Sequence, residues 1–316
     1  MDHKKIALVL GGGGAAGNAW MIGVVAGLAE AGIDMTEVAD LVIGTSSGAT
    51  AAAWVRSGIP AAELYASVLA EPTRPAGLGQ NPGQQRPASP PASQPSSLPM
   101  TEVFHRMRAI GAAATSAEDL RRRMGQFALE TEGTLDPAAA AQRRALVASR
   151  LPRQEWPERP MIIVAVNAHT GEPALMDRNS SVDLADAVTA STALPGGHTH
   201  GINGVRYING GVRSADNADL AVGYANVVVL TPFSERTGPL PPGQFEGIRR
   251  TAEWGNDLAS QVAALRGQGS QVVVIKPDDE SRTAMGVNQM DPATRLPSAR
   301  AGFAQGRQEA ARLIFV

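Results

Sequence analysis

Short apolar runs alternate with stretches of helical spacing along the first third of the chain. Ile6 to Leu10 is a continuous apolar run, as a strand covered on both faces requires. From Ala16 to Ala31 the large apolar residues Trp20, Val24, Val25 and Leu28 recur at helical spacing, and Gly32 supplies a C-terminal stop. Leu41 to Ile43 gives a second strand. Helical residues follow from Gly48 to Ser57 and, after Pro60, on to Leu69. This strand-helix-strand-helix order predicts a parallel sheet with helices on its faces.

The same pattern returns later. Met161 to Val166 and Val227 to Leu230 read as buried strands, Val205 to Ile208 as a short one and Gln271 to Ile275 as the last. Helices are predicted over Leu184–Ala193, Phe245–Leu265 and Ala299–Leu313. Two segments interrupt the alternation. Residues 71–100 hold eight of the 22 prolines and almost no large apolar side chains, so they cannot fold alone. A loop of that length is either a disordered insertion or a lid beside a site. Residues 101–150 form a predicted helical insertion, rich in Ala, Leu and Arg, with breaks near Gly111 and Gly133. Its arginines, from Arg106 to Arg144, are offset by acids and read as a solvated surface, with peripheral membrane contact as the alternative. The chain, 1–316, thus reads as one domain with a Pro-rich loop and a helical insertion.

Composition narrows the function. A net charge of −2 gives no reason to expect a nucleic-acid partner. Without cysteine, disulfides, thiolate zinc sites and cysteine nucleophiles are excluded. The apolar run behind Lys4-Lys5 ends after five residues at four glycines, too short for a secretory leader. Nowhere are there eighteen consecutive apolar residues, as a membrane-spanning helix would need, and the sequence reads as that of a cytoplasmic protein.

The chemistry concentrates at Gly44-Thr45-Ser46-Ser47-Gly48, directly behind the second strand and ahead of a helix. Gly-x-Ser-x-Gly in that setting is a nucleophile elbow, a sharp strained turn with crowded neighbours on both sides of the serine. A serine nucleophile also needs hydrogen-bond donors for the oxyanion. Gly11-Gly12-Gly13-Gly14-Ala15-Ala16-Gly17 joins the first strand to the first helix and gathers unencumbered N–H groups at a helix N-terminus. With strands one and two side by side, both loops open at one sheet edge. The rival reading, a dinucleotide loop Gly12-x-Gly14-x-x-Gly17, wants an acid at the end of the second strand. Here Asp40 precedes that strand, at the wrong end.

These blocks, in this order, resemble the patatin-like phospholipases. The likeness covers Leu8–Gly14 and Ile43–Ala49, then Ala190–Gly196 and Gly204–Gly211, spanning roughly residues 6–220. It implies a three-layer α/β/α sandwich with a mainly parallel sheet. It also implies a Ser-Asp dyad that hydrolyses phospholipid or other acyl esters without metal or cofactor. The resemblance assigns the nucleophile to Ser46 and the oxyanion donors to Gly12, Gly13, Gly14 and Ala15.

Two departures stand out. The family's basic residue before the last glycine of the oxyanion loop is Ala16 here, and its dyad aspartate falls on Asn209. Asparagine has the shape of aspartate but cannot take a proton from serine. Loss of the aspartate of a three-residue triad costs about 10⁴ in turnover, so this chain is expected to be impaired or inactive. An engineered inactive form, a natural lipid-binding or regulatory pseudoenzyme, and a substitute base all account for Asn209. Asp216 and Asp219 are close in sequence but read as serving the next helix, with Asp216 or Asn217 as its cap. A Ser-His-Asp esterase would draw on His169, His198 or His200 with Asp177, Asp183 or Asp186. In the usual α/β-hydrolase, however, the histidine comes last, after the acid, and no histidine follows His200.

Overall fold

The computed structural model describes residues 5–70, 98–132, 137–233, 247–248 and 250–313. The chain opens with β1 (Ile6–Leu10), α1 (Gly14–Glu30), α2 (Met35–Val38), β2 (Leu41–Thr45), α3 (Ser47–Val55) and α4 (Ala61–Ala70). Three helices follow: α5 (Met100–Ala113), α6 (Ala117–Thr131) and α7 (Pro137–Ala148). The sheet then resumes with β3 (Met161–Asn167) and β4 (Pro173–Met176), α8 (Leu184–Thr192), β5 (His200–Ile202) and β6 (Val205–Asn209). The last part comprises β7 (Asn226–Leu230), α9 (Leu258–Gly267), β8 (Gln271–Ile275), α10 (Asp279–Met285) and α11 (Arg295–Glu309).

Among the described residues the strands form one sheet in the order β5-β6-β3-β2-β1-β7-β8, with β4 paired to β3. Strands β1, β2, β3, β7 and β8 run parallel. Strands β4 and β6 run antiparallel to β3, and β5 antiparallel to β6. The sheet is therefore mixed and not purely parallel. Asn203 and Gly204, with φ of 49° and 81°, make the reversal between Ile202 and Val205. A two-residue hairpin of this hand needs positive φ at both turn positions, which is why Asn-Gly is its strongest sequence signal.

Side chains of β1 alternate between two apolar clusters. Leu8 and Leu10 pack with Trp20, Val24 and Leu28 of α1. Ala7 and Val9 pack with Val227, Val229, Val262 and Leu265 on the side of α9. A third cluster seats α5 and α6 on Val166 of β3 and Ile208 of β6. The result is an α/β domain with helices packed around a mixed sheet.

Helices α1 and α11 approach to backbone contact. A Cβ on Gly23 or Gly27 would overlap the carbonyl of Ala299 or Phe303, and one on Gly302 or Gly306 the carbonyl of Trp20 or Val24. Each pair is spaced i, i+4 and so lies on one helix face. The Trp20 indole N–H donates to Gln305 Oε1 across this seam at 3.0 Å.

Elsewhere the sequence reading needs correction. Of the helix expected over Phe245–Leu265, Phe245, Glu246 and Arg249 lie outside the described residues, and α9 begins at Leu258: Gly255 turns left-handed at φ 62°, and the Asp257 side chain caps α9 by accepting from the Ser260 N–H. The break expected near Gly111 falls at Ala114–Ser116, with Gly111 itself buried inside α5. Gly133 and residues 71–97 of the proline-rich loop lie outside the described residues.

Candidate active site

Ser46 is the single residue between β2 and α3 and adopts φ 56°, ψ −121°. A non-glycine residue there carries on the order of 1–3 kcal/mol of strain that the surroundings must hold. They do so by close packing. A Cβ on Gly44 would come 2.7 Å from Ala49 Cα, and one on Gly48 would overlap the Leu10 carbonyl at the end of β1. The Ser46 N–H donates to Ser191 Oγ at 2.9 Å, so buried Ser191 of α8 fixes the turn from the other side.

Asn209 ends β6 opposite Ala165 of β3, and Thr45 ends β2 opposite the adjacent Val164. Neighbouring register positions on one strand therefore bring Asn209 to Ser46. The Asn209 amide nitrogen donates to Ser46 Oγ at 3.0 Å. Its Oδ1 accepts the Gly211 N–H at 2.8 Å, and its own backbone N–H donates to the Ala193 carbonyl at 2.7 Å. The Gly211 donor demands oxygen on its side, and this sets the nitrogen toward serine.

The glycine loop leads from β1 into α1 beside the elbow, with a Cβ on Gly12 lying 3.6 Å from Ser46 Cβ. The Gly12 N–H is already bonded to the Ala215 carbonyl at 2.9 Å. The Ala16 N–H goes to Gln289 O at 3.0 Å and the Gly17 N–H to Gly13 O at 2.8 Å. Among the described residues the N–H groups of Gly13, Gly14 and Ala15 have no acceptor. Of the four donors anticipated, three are thus uncommitted and Gly12 is not. Uncommitted N–H groups at a helix N-terminus suit an anion or a developing oxyanion.

Ser46, Asn209, Gly12, Gly14 and Ala15 line a cavity of about 1800 Å³. Trp54, Ile59, Leu64, Phe104, Val147 and Leu151 give it an apolar side. Asp216 lines it too, and of the two caps the sequence offered, Asp216 or Asn217, it is not the one used. The cap position is Asn217, and Asp219 pairs with Arg213. Asp216 is instead buried beneath the glycine loop, with Oδ1 unpartnered and against the α-carbon of Gly11. Burial pushes its carboxyl up to about 6, against the opposing pull of the Thr231 hydroxyl and the Arg250 and Lys276 charges. Burial likewise lowers the Arg250 guanidinium to about 10. No signal in the sequence separates Asp216 from an ordinary cap.

The histidines lie elsewhere. His200 Nε2 meets Asp186 Oδ1 at 2.8 Å, and Arg144 Nε donates to the same oxygen at 2.8 Å. Burial depresses His200 and takes His198 down to about 4. His169 is exposed. None of the three is among the described residues lining the cavity. The described residues hold no group of three or more His, Cys, Asp or Glu placed for a metal ion, and no helix long and apolar enough to cross a membrane. Asp40, the only acid offered to a dinucleotide, accepts the Ile6 N–H at 2.7 Å, at the opposite end of β1 from the glycine loop.

Comparison with curated protein sequences gives no match. Among solved structures, VipD from Legionella pneumophila aligns with a TM-score of 0.42 at 13% identity, over 99% of this chain and 67% of VipD. The type III effector protein ExoU aligns with a TM-score of 0.35 at 17% identity, over 96% of this chain and 54% of ExoU. The chain therefore spans about half the length of ExoU. The family described as patatin-like phospholipase matches residues 8–222, a span that holds the glycine loop, the Ser46 elbow and Asn209. By that match, over more than half of its length, the chain belongs to the patatin-like phospholipase family.

Proposed function

We propose that this protein is a serine acyl hydrolase of the phospholipase A or lipid esterase kind, with Ser46 as nucleophile and Asn209 in the seat of the activating acid. The observation that carries the reading is the pair of bonds at Asn209, one to Ser46 Oγ at 3.0 Å and one from the Gly211 N–H at 2.8 Å. A carboxylate in that seat would keep one oxygen on Gly211 and turn the other to the serine. It would accept the Oγ proton as Oγ attacks the acyl carbonyl carbon. The developing oxyanion would draw on the N–H groups of Gly13, Gly14 and Ala15, with one or two such donors contributing about 10²–10³ each in rate. The proton would then pass to the departing alcohol, and water would release the acyl group from Ser46 by the reverse transfers.

With asparagine the direction of the bond is inverted, since the amide donates to Oγ and cannot take its proton. Turnover is therefore impaired while the pocket is kept. That inversion also supports the second reading, a catalytically silent lipid-binding or regulatory protein. A Ser-His-Asp esterase is disfavoured because none of His169, His198 and His200 is among the described residues that line the cavity with Ser46. The substrate is a phospholipid or related acyl ester, its chain suited to the apolar side of the cavity. Exposed Met100, Val287 and Met290 border the same cavity and support peripheral contact with a lipid surface.

Covalent labelling tests the assignment. An active-site phosphonate is expected to modify Ser46 alone, and faster in Asn209→Asp. Modification of another serine, or labelling that persists in Ser46→Ala, would displace Ser46 from its role.

A further inference from the structure

Residues beyond the family match at 8–222 reach back to the glycine loop. The segment between α10 and α11 lies across it. The Gln289 carbonyl accepts the Ala16 N–H at 3.0 Å, and a Cβ on Gly14 would stand 2.7 Å from that carbonyl oxygen. Six residues on, the half-buried Arg295 donates through Nη1 to the Asn18 side-chain oxygen at 3.0 Å and approaches the Ala15 carbonyl at 3.4 Å. Asn18 is itself buried, and its amide nitrogen donates to the Ser47 carbonyl at 3.2 Å.

These bonds form one path. Arg295 fixes which end of the Asn18 amide faces α1's own first turn, because guanidinium can only donate and so requires the oxygen. The nitrogen is thereby left for Ser47, the residue directly after the nucleophile. Asn18 is thus the tie between the helix that carries the free N–H groups and the turn that carries Ser46. Arg295 decides the polarity of that tie. Resting on the hydrolase reading above, we infer that Arg295 is a positioning residue, which sets the distance between the Gly13–Ala15 N–H groups and Ser46 Oγ through Asn18. Its site of action is a separation that a rate senses steeply, since a misplacement of about 1 Å can cost on the order of 10²-fold.

Two other features agree with this placement. The α1–α11 glycine seam and the Trp20–Gln305 bond fix the helix bearing Arg295 rigidly to α1. Arg295 also lines the cavity with Ser46, Asn18 and Ala15. A long flexible side chain there has solvent-facing alternatives. Its engagement with Asn18 and Ala15 draws it inward instead.

The test pairs a rate with a measurement that needs no turnover. In Asn209→Asp protein, Arg295→Met is expected to lower kcat for a short acyl nitrophenyl ester about tenfold or more, with KM changed less than about twofold. Asn18→Leu is expected to do the same, and the double variant to lose no more than the worse single one. In the unaltered chain, Arg295→Met is expected to speed amide hydrogen exchange at residues 12–20 while exchange in β1 and α11 stays as it was. Unchanged kcat, a rise in KM alone, or fully additive losses overturn the inference. If Asn209→Asp neither hydrolyses ester nor labels at Ser46, the hydrolase reading fails by itself. Exchange then decides, and unaltered exchange at residues 12–20 overturns the positioning role.

Discussion

The amide of Asn209 turns its nitrogen, not its oxygen, to Ser46 Oγ, 3.0 Å away, because the Gly211 N–H holds the oxygen at 2.8 Å. In that orientation the amide can donate to Oγ but cannot take its proton. Asn209→Asp is expected to raise hydrolysis of a short acyl nitrophenyl ester by about 10³ or more. Initial rates of purified protein, with Ser46→Ala as the blank, measure this. A folded Asn209→Asp protein that gains nothing would leave the silent binding protein as the better account.

If Asn209→Asp protein hydrolyses ester, the acidic limb of its pH profile should belong to a carboxylate and not to an imidazole. Changing His169, His198 and His200 to Gln in Asn209→Asp protein is expected to keep activity within about threefold, and chelator to have no effect, since no metal enters the mechanism. A loss near 10² from any one histidine would call for a triad.

The elbow depends on the absence of a side chain at Gly48. Gly48→Ala would drive its Cβ into the Leu10 carbonyl, where backbone on both sides cannot yield. We expect a loss of about 3 kcal/mol or failure to fold. Gly58→Ala is the control: its φ of 76° carries backbone strain, but nothing lies within 4 Å of the added atom. That variant should lose only about 1 kcal/mol. Denaturant midpoints compare the two, and equal losses would mean that backbone conformation rather than packing governs the elbow.

Asp216 makes stability depend on pH in a defined direction. Its folded pKa of about 6 lies above the ordinary value of 3.8. Between those values the folded chain keeps a proton that the unfolded chain has released. Stability from this group is thus full below about pH 4 and falls as pH rises through 6. The magnitude is about 3 kcal/mol. Thr231, Arg250 and Lys276 face the carboxyl and temper the effect. Asp216→Asn should remove the slope, so that its stability relative to the parent rises by about that amount from pH 4 to pH 7. Urea unfolding at several pH values measures this, and a flat difference would show that the carboxylate is ionised without penalty.

Much of this arrangement was legible in the sequence because it rests on local geometry. The buried strands β1, β2, β3 and β7 are continuous apolar runs, and the elbow needs glycines at fixed offsets from Ser46. The approach of Asn209 to Ser46 was reached only through family resemblance, since 163 residues separate them. Strands β4 and β5 are not legible in the sequence for another reason. Each is four residues or fewer, so neither shows an alternating pattern, although Asn203-Gly204 announced the hairpin. Arg295, at the start of α11, and Gln289, in the loop before it, are not legible as site residues, because nothing local distinguishes them from other polar residues. The commitment of the Gly12 N–H to Ala215 is likewise a long-range fact.

The interlocked glycines of α1 and α11 bear on how the protein is made. Gly23 and Gly27 meet a helix that leaves the ribosome some 280 residues later, judging from the Trp20–Gln305 separation of 285. Chains fold from the N-terminus as they are synthesised, yet the first helix has no partner for this face until Gly306 has emerged. The nascent chain can assemble its elbow long before its glycine loop is braced. Bracing of the glycine loop is then a late event, completed only once α11 has emerged.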